Sequence, residues 1–231
     1  MRKVRSLFLG VPDAAGADFH ALLEEARFAS WGAEYSRALE LCRRAIAARP
    51  AELCTAELAD LLEMASRSQE ELEAYSARLP ELRAAVAANP TDGEARYKLG
   101  VALNALGEYE AANFEYRTAL VFSESICAEC HRDSLNNIGW YHFRRGEYRD
   151  ALAWFERACD FHVPDDPGPY HLAMENMLLV YARLGMKEPA ERLALEYIEH
   201  LGRIPPTERR ALGQLGIDAD ALFVRSFLEE R

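Results

Sequence analysis

Lysine is nearly missing from this 231-residue chain. Lys3, Lys98 and Lys187 are the only three among 27 basic residues, and 38 acidic residues leave a net charge of −11. Nucleic acids and anionic membranes are held through a basic footprint, so this balance argues against both as partners. It suits a solubilising surface instead. Long apolar runs are missing too, and none approaches the length that crosses a bilayer. Cysteine is scarce and odd in number, five in all. That does not suit a secreted disulfide framework and fits a reducing cytoplasm. There is no glycine-rich phosphate loop, no nucleophile elbow and no HExxH, so the chain reads as non-enzymatic. Nor does any stretch alternate apolar and polar residues convincingly, so strands are not expected.

The amino terminus has the outline of an export signal. Arg2, Lys3 and Arg5 precede Ser6–Val11, and small residues (Ala14, Ala15, Gly16, Ala17) follow. Pro12-Asp13 stops the apolar part too early for that role. Residues 1–17 are expected as a short arm on the first helix.

What is present is a period. Gly107, Gly146 and Gly185 lie 39 residues apart, and other positions keep the same step. Leu99, Ile138 and Met177 share one phase, Ala112, Ala151 and Ala190 another. Tyr116 pairs with Phe155, and Ala119 with Ala158. Self-similarity at this length marks a stack of supersecondary units, each too small to bury its apolar face alone.

Within a unit the apolar spacing is helical. One pair of helices is predicted from Glu94 to Leu106 and from Tyr109 past Leu120, with Gly107 as the helix-ending glycine between them. The next runs Ser134–Arg145 and Tyr148–Phe161, the third Tyr170–Leu184 and Lys187–His200. Upstream, Leu22, Ala26, Tyr35, Ala38, Cys42, Ala45 and Pro50 outline another unit, with Trp31 beside its turn. Two helical stretches, Glu52–Ser66 and Gln69–Ala88, follow it, and Pro50 and Pro90 stand where helices must stop. Downstream, Pro205-Pro206 ends the third unit. Thr207–Gln214 and Asp218–Glu230 read as capping helices with Thr207 and Asp218 as N-caps.

At these residues the chain resembles the tetratricopeptide repeat family. Leu99-Gly100, Leu103, Gly107, Tyr109, Ala112, Tyr116 and Ala119 match that family's helix-turn-helix signature. Ile138-Gly139, Gly146, Tyr148, Ala151, Phe155 and Ala158 match it again. The third unit departs from it, with Leu178 for the first glycine and Lys187 for the tyrosine. The step is about five residues longer than the usual repeat, similar to the long repeats of kinesin light chains. The extra length falls between Phe122 and Asp133 and between His162 and His171, as a longer second helix or a longer loop. The resemblance implies an all-α fold, a right-handed superhelical solenoid of antiparallel helix pairs with capping helices. The solenoid would span 18–202 in four to five pairs, clearest at 93–126, 132–163 and 171–202, and the caps 203–231.

The resemblance also implies that first helices line a concave groove that holds an extended peptide of a partner protein. The register aligns Lys98, Asn137 and Asn176 in one row and Ala105, Arg144 and Arg183 in another. Val101, Trp140 and Leu179 form a third, Tyr97, Asn136 and Glu175 a fourth. An asparagine amide has a donor and an acceptor, so Asn137 and Asn176 could hold both groups of a peptide unit. Peptide-binding relatives use asparagines there. Lys98, Arg144 and Arg183 would attract carboxylates, and Trp140, beside Phe143, would offer a platform. Ala105 breaks the basic row, so the strict two-carboxylate clamp of chaperone-binding relatives is not expected.

A competing site is built from sulfur. Cys127 and Cys130 form a CxxC, and Cys159 and His162 a CxxH, a ligand set suited to tetrahedral zinc. A zinc-binding or redox-sensing helical module is therefore the alternative. Cys159 shares the phase of Leu120 and Ile198, so a buried free thiol accounts for it equally. Cys127–His131 also spells a c-type haem attachment sequence, which would require export and a haem pocket.

Overall fold

The computed structural model describes residues 18–49, 55–164, 170–201, 204 and 206–223. The N-terminal arm, Pro50 and the end of the last capping segment lie outside the described residues. Among these residues the chain is helical and has no extended strand. In order come α1 (Phe19–Trp31), α2 (Tyr35–Ala48), α3 (Thr55–Ala88), α4 (Gly93–Ala105) and α5 (Tyr109–Val121). A 3₁₀ turn (Ser123–Ser125) leads to α6 (Ala128–Arg144), α7 (Tyr148–Asp160), α8 (His171–Leu184), α9 (Lys187–Leu201) and α10 (Pro206–Gln214). A further helix is under way over 219–223.

One turn geometry separates the helices of each pair. At Gly107, Gly146 and Gly185 the backbone is left-handed, with φ of 85°, 75° and 68°. The next residue's N–H reaches back to close the helix: Glu108 to the Leu103 carbonyl, Glu147 to His142, Met186 to Tyr181, each at 2.9–3.0 Å. These are Schellman closures, and a glycine at the left-handed site avoids the Cβ clash. Two more such turns lie outside the 39-residue step. Glu34 N–H donates to Ala29 and Ile217 N–H to Leu212, with Ala33 (φ 52°) and Gly216 (φ 68°) left-handed. In the first pair the left-handed place falls on Ala33, one residue after Gly32.

The described chain falls into two compact units, Met1–Thr91 with Lys98–Glu115, and Asp92–Tyr97 with Tyr116–Arg231. The first contains α1 packed on α2, α2 on α3, and a core that includes Leu22, Leu41, Cys42, Ile46 and Leu61. In the second, α6 packs on α7, α7 on α8, and α8 on both α9 and α10. Its core holds Phe155, Leu178, Val180, Tyr197 and Leu212, and residues after α10 (Ile217, Ala219, Leu222) join it. The shared phases are core positions: Ala112, Ala151, Ala190, Ala119, Ala158, Tyr116 and Phe155 are all buried. Small residues let helices approach closely. At Gly139, a Cβ would stand 2.5 Å from the Phe155 ring.

Four expectations change. The two stretches expected over 52–88 form one 34-residue helix, α3, with Pro80 inside it; Ser66 to Ser68 contains no glycine or proline to break it. The first helix of the 134–145 pair starts six residues earlier, at Ala128. The extra length between Phe122 and Asp133 is therefore a 3₁₀ turn plus an N-terminal extension of a first helix, neither a longer second helix nor an open loop. α10 begins at Pro206, ahead of Thr207, as suits a proline in a first helical turn. Asp218 does cap, accepting from the N–H groups of Asp220 and Ala221 at 2.9 and 3.1 Å.

Candidate functional site

The structure sorts the six expected peptide-binding residues by accessibility. Lys98 is exposed on α4 and belongs to the first compact unit. The other five sit on α6 and α8 in the second. Asn137 is half-buried and Arg183 is exposed in the last turn of α8. Arg144 is half-buried in the last turn of α6, with its Nε and Nη1 shielded from water. Trp140 turns towards the core, edge-on to Phe155 at 6.0 Å and to Phe143 at 5.0 Å.

Asn176 departs most from expectation. It is 3% exposed, and its Nδ2 donates to Asn136 Oδ1 at 2.7 Å. The register pairs Asn176 with Asn137, 39 residues away, but the hydrogen bond forms with the asparagine 40 residues away. Both amides are buried, and a buried amide is retained where it is hydrogen-bonded. Asn136 and Asn176 thus fasten α6 to α8.

Further polar fasteners sit on the first helices, and sequence reading had missed their role. Asp133 on α6 accepts from two tyrosines, Tyr97 of α4 at 3.2 Å and Tyr170, just before α8, at 2.6 Å. The Arg132 guanidinium lies 4.3 Å over the Tyr170 ring. Burial, reinforced by the Asp133 charge, holds the Tyr170 hydroxyl protonated well above its ordinary range. Tyr197 donates to Glu175 at 2.6 Å, tying α9 to α8. The fourth row, Tyr97, Asn136 and Glu175, was the available signal: each member carries one of these inter-helix bonds.

The turn at Gly146 carries a chain of charged groups. Arg117 Nη2 lies 2.9 Å from His142 Nε2, and His142 Nδ1 lies 2.7 Å from Glu147 Oε2. A guanidinium only donates, so Nε2 accepts and Nδ1 carries the proton it gives to Glu147. Arg145 Nε donates to the other Glu147 oxygen at 2.8 Å. The Arg145 and His142 hydrogen bonds hold the Glu147 carboxyl below its usual range. His142, Glu147 and Asp150 are, among the described residues, the group whose potential ligand atoms lie within 4.8 Å of one another. Two guanidinium groups already serve it, and that opposes a cation.

The residues expected to bind zinc are not assembled. Cys127 and Cys130 are joined to each other in a disulfide, with Cα atoms 5.2 Å apart. Cys159 lies half-buried, its sulfur 3.8 Å from that of Met177. Burial, and then the charges of Asp160, Glu196 and Glu156, push its thiol up to about 12. While bonded to each other, Cys127 and Cys130 offer a metal no thiolate, so a zinc site here would require the reduced pair. His162 is exposed. The same disulfide occupies both sulfurs a haem would need, and His131 instead stacks on Phe161 at 4.3 Å.

No helix among the described residues is long and apolar enough to cross a membrane. No curated protein matches the chain. Residues 132–163, most of α6 with α7, match a tetratricopeptide repeat family, and so do residues 79–122, the end of α3 with α4 and α5. Together with the helix pairs, small packing positions and repeated turns, these two matches show tetratricopeptide repeats at residues 79–122 and 132–163.

Proposed function

We propose that this chain is a scaffold that holds an extended, acidic peptide segment of a partner protein against its first helices. Tetratricopeptide repeats support protein–protein interaction in general. The observation that carries it is the Asn136–Asn176 bond. It fixes α6 against α8, so the neighbouring Asn137 and the exposed Arg183 are presented from a rigid backing. Asn137 offers a donor and an acceptor to a peptide unit, and Arg183 and Arg144 attract carboxylates. Trp140 backs α6 from the core side. Asn176 serves as an anchor.

The net charge of −11 opposes an acidic ligand only weakly, because fields between exposed charges fade beyond about 8 Å at physiological salt. Local arginines decide the sign at the surface. Exposed charge pairs are worth about 0.2–1 kcal/mol each, so they set specificity and association rate more than affinity. The test is fluorescence anisotropy with a labelled peptide of alternating acidic residues and its amide counterpart. We expect the acidic form to bind preferentially, less so as salt rises. Arg183→Glu and Asn137→Ala should each weaken binding several-fold with the helical circular dichroism unchanged. Wild-type binding by both folded variants would reject the groove.

A further inference from the structure

The sulfur pair at the start of α6 takes no part in the groove. Cys127 is the N-cap of that helix, with extended backbone (φ −64°, ψ 154°), and its Sγ accepts the Cys130 N–H at 3.1 Å. Cys130 lies one turn in, bonded to Cys127. Helical hydrogen bonding already begins here: His131 N–H donates to the Cys127 carbonyl at 2.9 Å, and Ser134 Oγ to the Cys130 carbonyl at 2.7 Å. The backbone carrying both sulfurs is thus fixed by bonds that do not involve sulfur chemistry. Its Cα separation of 5.2 Å suits a disulfide, so the bond can open and close with the helix in place. Both residues are half-buried. The remaining described cysteines differ: Cys42 is buried, and burial pushes its thiol, like that of Cys159, up to about 12.

We infer that Cys127 and Cys130 are a thiol–disulfide exchange pair acting on an external disulfide, with Cys127 attacking and Cys130 resolving. The assignment of roles rests on position. A helix N-terminus and its free N–H groups favour negative charge on the sulfur at the cap, and a CxxC there is the arrangement in which a thiolate forms most readily. In the reduced chain, Cys127 Sγ attacks one sulfur of the external disulfide. A mixed disulfide forms, and the other external sulfur leaves as thiolate and takes up a proton. Cys130, giving up its proton, then attacks Cys127 Sγ. The intramolecular bond re-forms and the second external sulfur departs as a thiol. Two electrons and two protons have passed from the pair to the external disulfide.

The full chain, reduced and freed of reductant, is exposed to glutathione disulfide at pH 7, quenched with acid and mapped by mass spectrometry. Wild type should return to the Cys127–Cys130 disulfide with no lasting adduct. Cys130→Ser should accumulate glutathione on Cys127, and Cys127→Ser should react at Cys130 at least about tenfold more slowly. In reduced wild-type protein, limiting iodoacetamide should label Cys127 first, which removes any dependence on whether the variants fold. Equal labelling of the two sulfurs, equal adduct rates in the two variants, or failure of the native reduced chain to re-form the bond would overturn the inference. So would stoichiometric zinc uptake by the reduced chain that is lost in Cys127→Ser.

Discussion

A buried amide without a partner costs about 1–3 kcal/mol, whereas a made hydrogen bond contributes only about 1. That asymmetry decides what Asn136 and Asn176 do. Asn176→Ala leaves the buried Asn136 oxygen without its donor, and should lower unfolding free energy by about 1–3 kcal/mol in urea titration. Asn137→Ala, on the same helix but half-buried, should stay within about 0.5 kcal/mol. Equal losses would return Asn176 to the ligand row. Gly139 poses a contest of signs. Alanine improves helix propensity by about 1 kcal/mol, but its Cβ would meet a fully buried Phe155 ring at 2.5 Å, and overpacking costs about 1–3 kcal/mol. The clash wins, so Gly139→Ala should lower the midpoint of thermal unfolding. The sequence placed both residues in their repeat positions, yet a 39-residue period cannot say that two asparagines meet diagonally, one position out of step.

Among the elements, the turns were the most legible because glycine is the cheapest residue at a left-handed site. Gly107, Gly146 and Gly185 mark three of them. Ala33 adopts the same backbone with a Cβ, at a cost of about 1–2 kcal/mol. Glycine there loses about 0.4–1 kcal/mol through the freer unfolded chain. Ala33→Gly should therefore stabilise the protein by on the order of 0.5 kcal/mol, seen as a raised urea midpoint; a lowered midpoint would contradict the left-handed assignment. Helix lengths were harder to read. The early start of α6 depends on Cys127 acting as a cap, a role cysteine seldom announces in a sequence. The continuity of α3 depends on burial of Leu61, Ala65 and Ser68 along it, and periodicity alone does not reveal that burial.

On the scale of the whole molecule, the buried apolar residues among those described include one cluster around Leu41 and Leu61 and another around Phe155 and Tyr197. Stacked repeats interact chiefly with their neighbours, so damage should stay local. Phe155→Ala, costing about 3–5 kcal/mol, should accelerate amide hydrogen exchange in α6–α8 far more than in α1 and α2. Uniform acceleration would mean one cooperative core. The sequence by itself determined the all-α class, the helix pairs, the tetratricopeptide phase and the core positions, because these follow from local spacing and from residue sizes repeated along the chain. Only the tertiary structure decided which polar side chains face water and which face each other. Asn176, Trp140, Asp133 and the Cys127–Cys130 pair were settled by helix crossings and by where α6 begins. Those are distances between elements, and a linear period does not encode them.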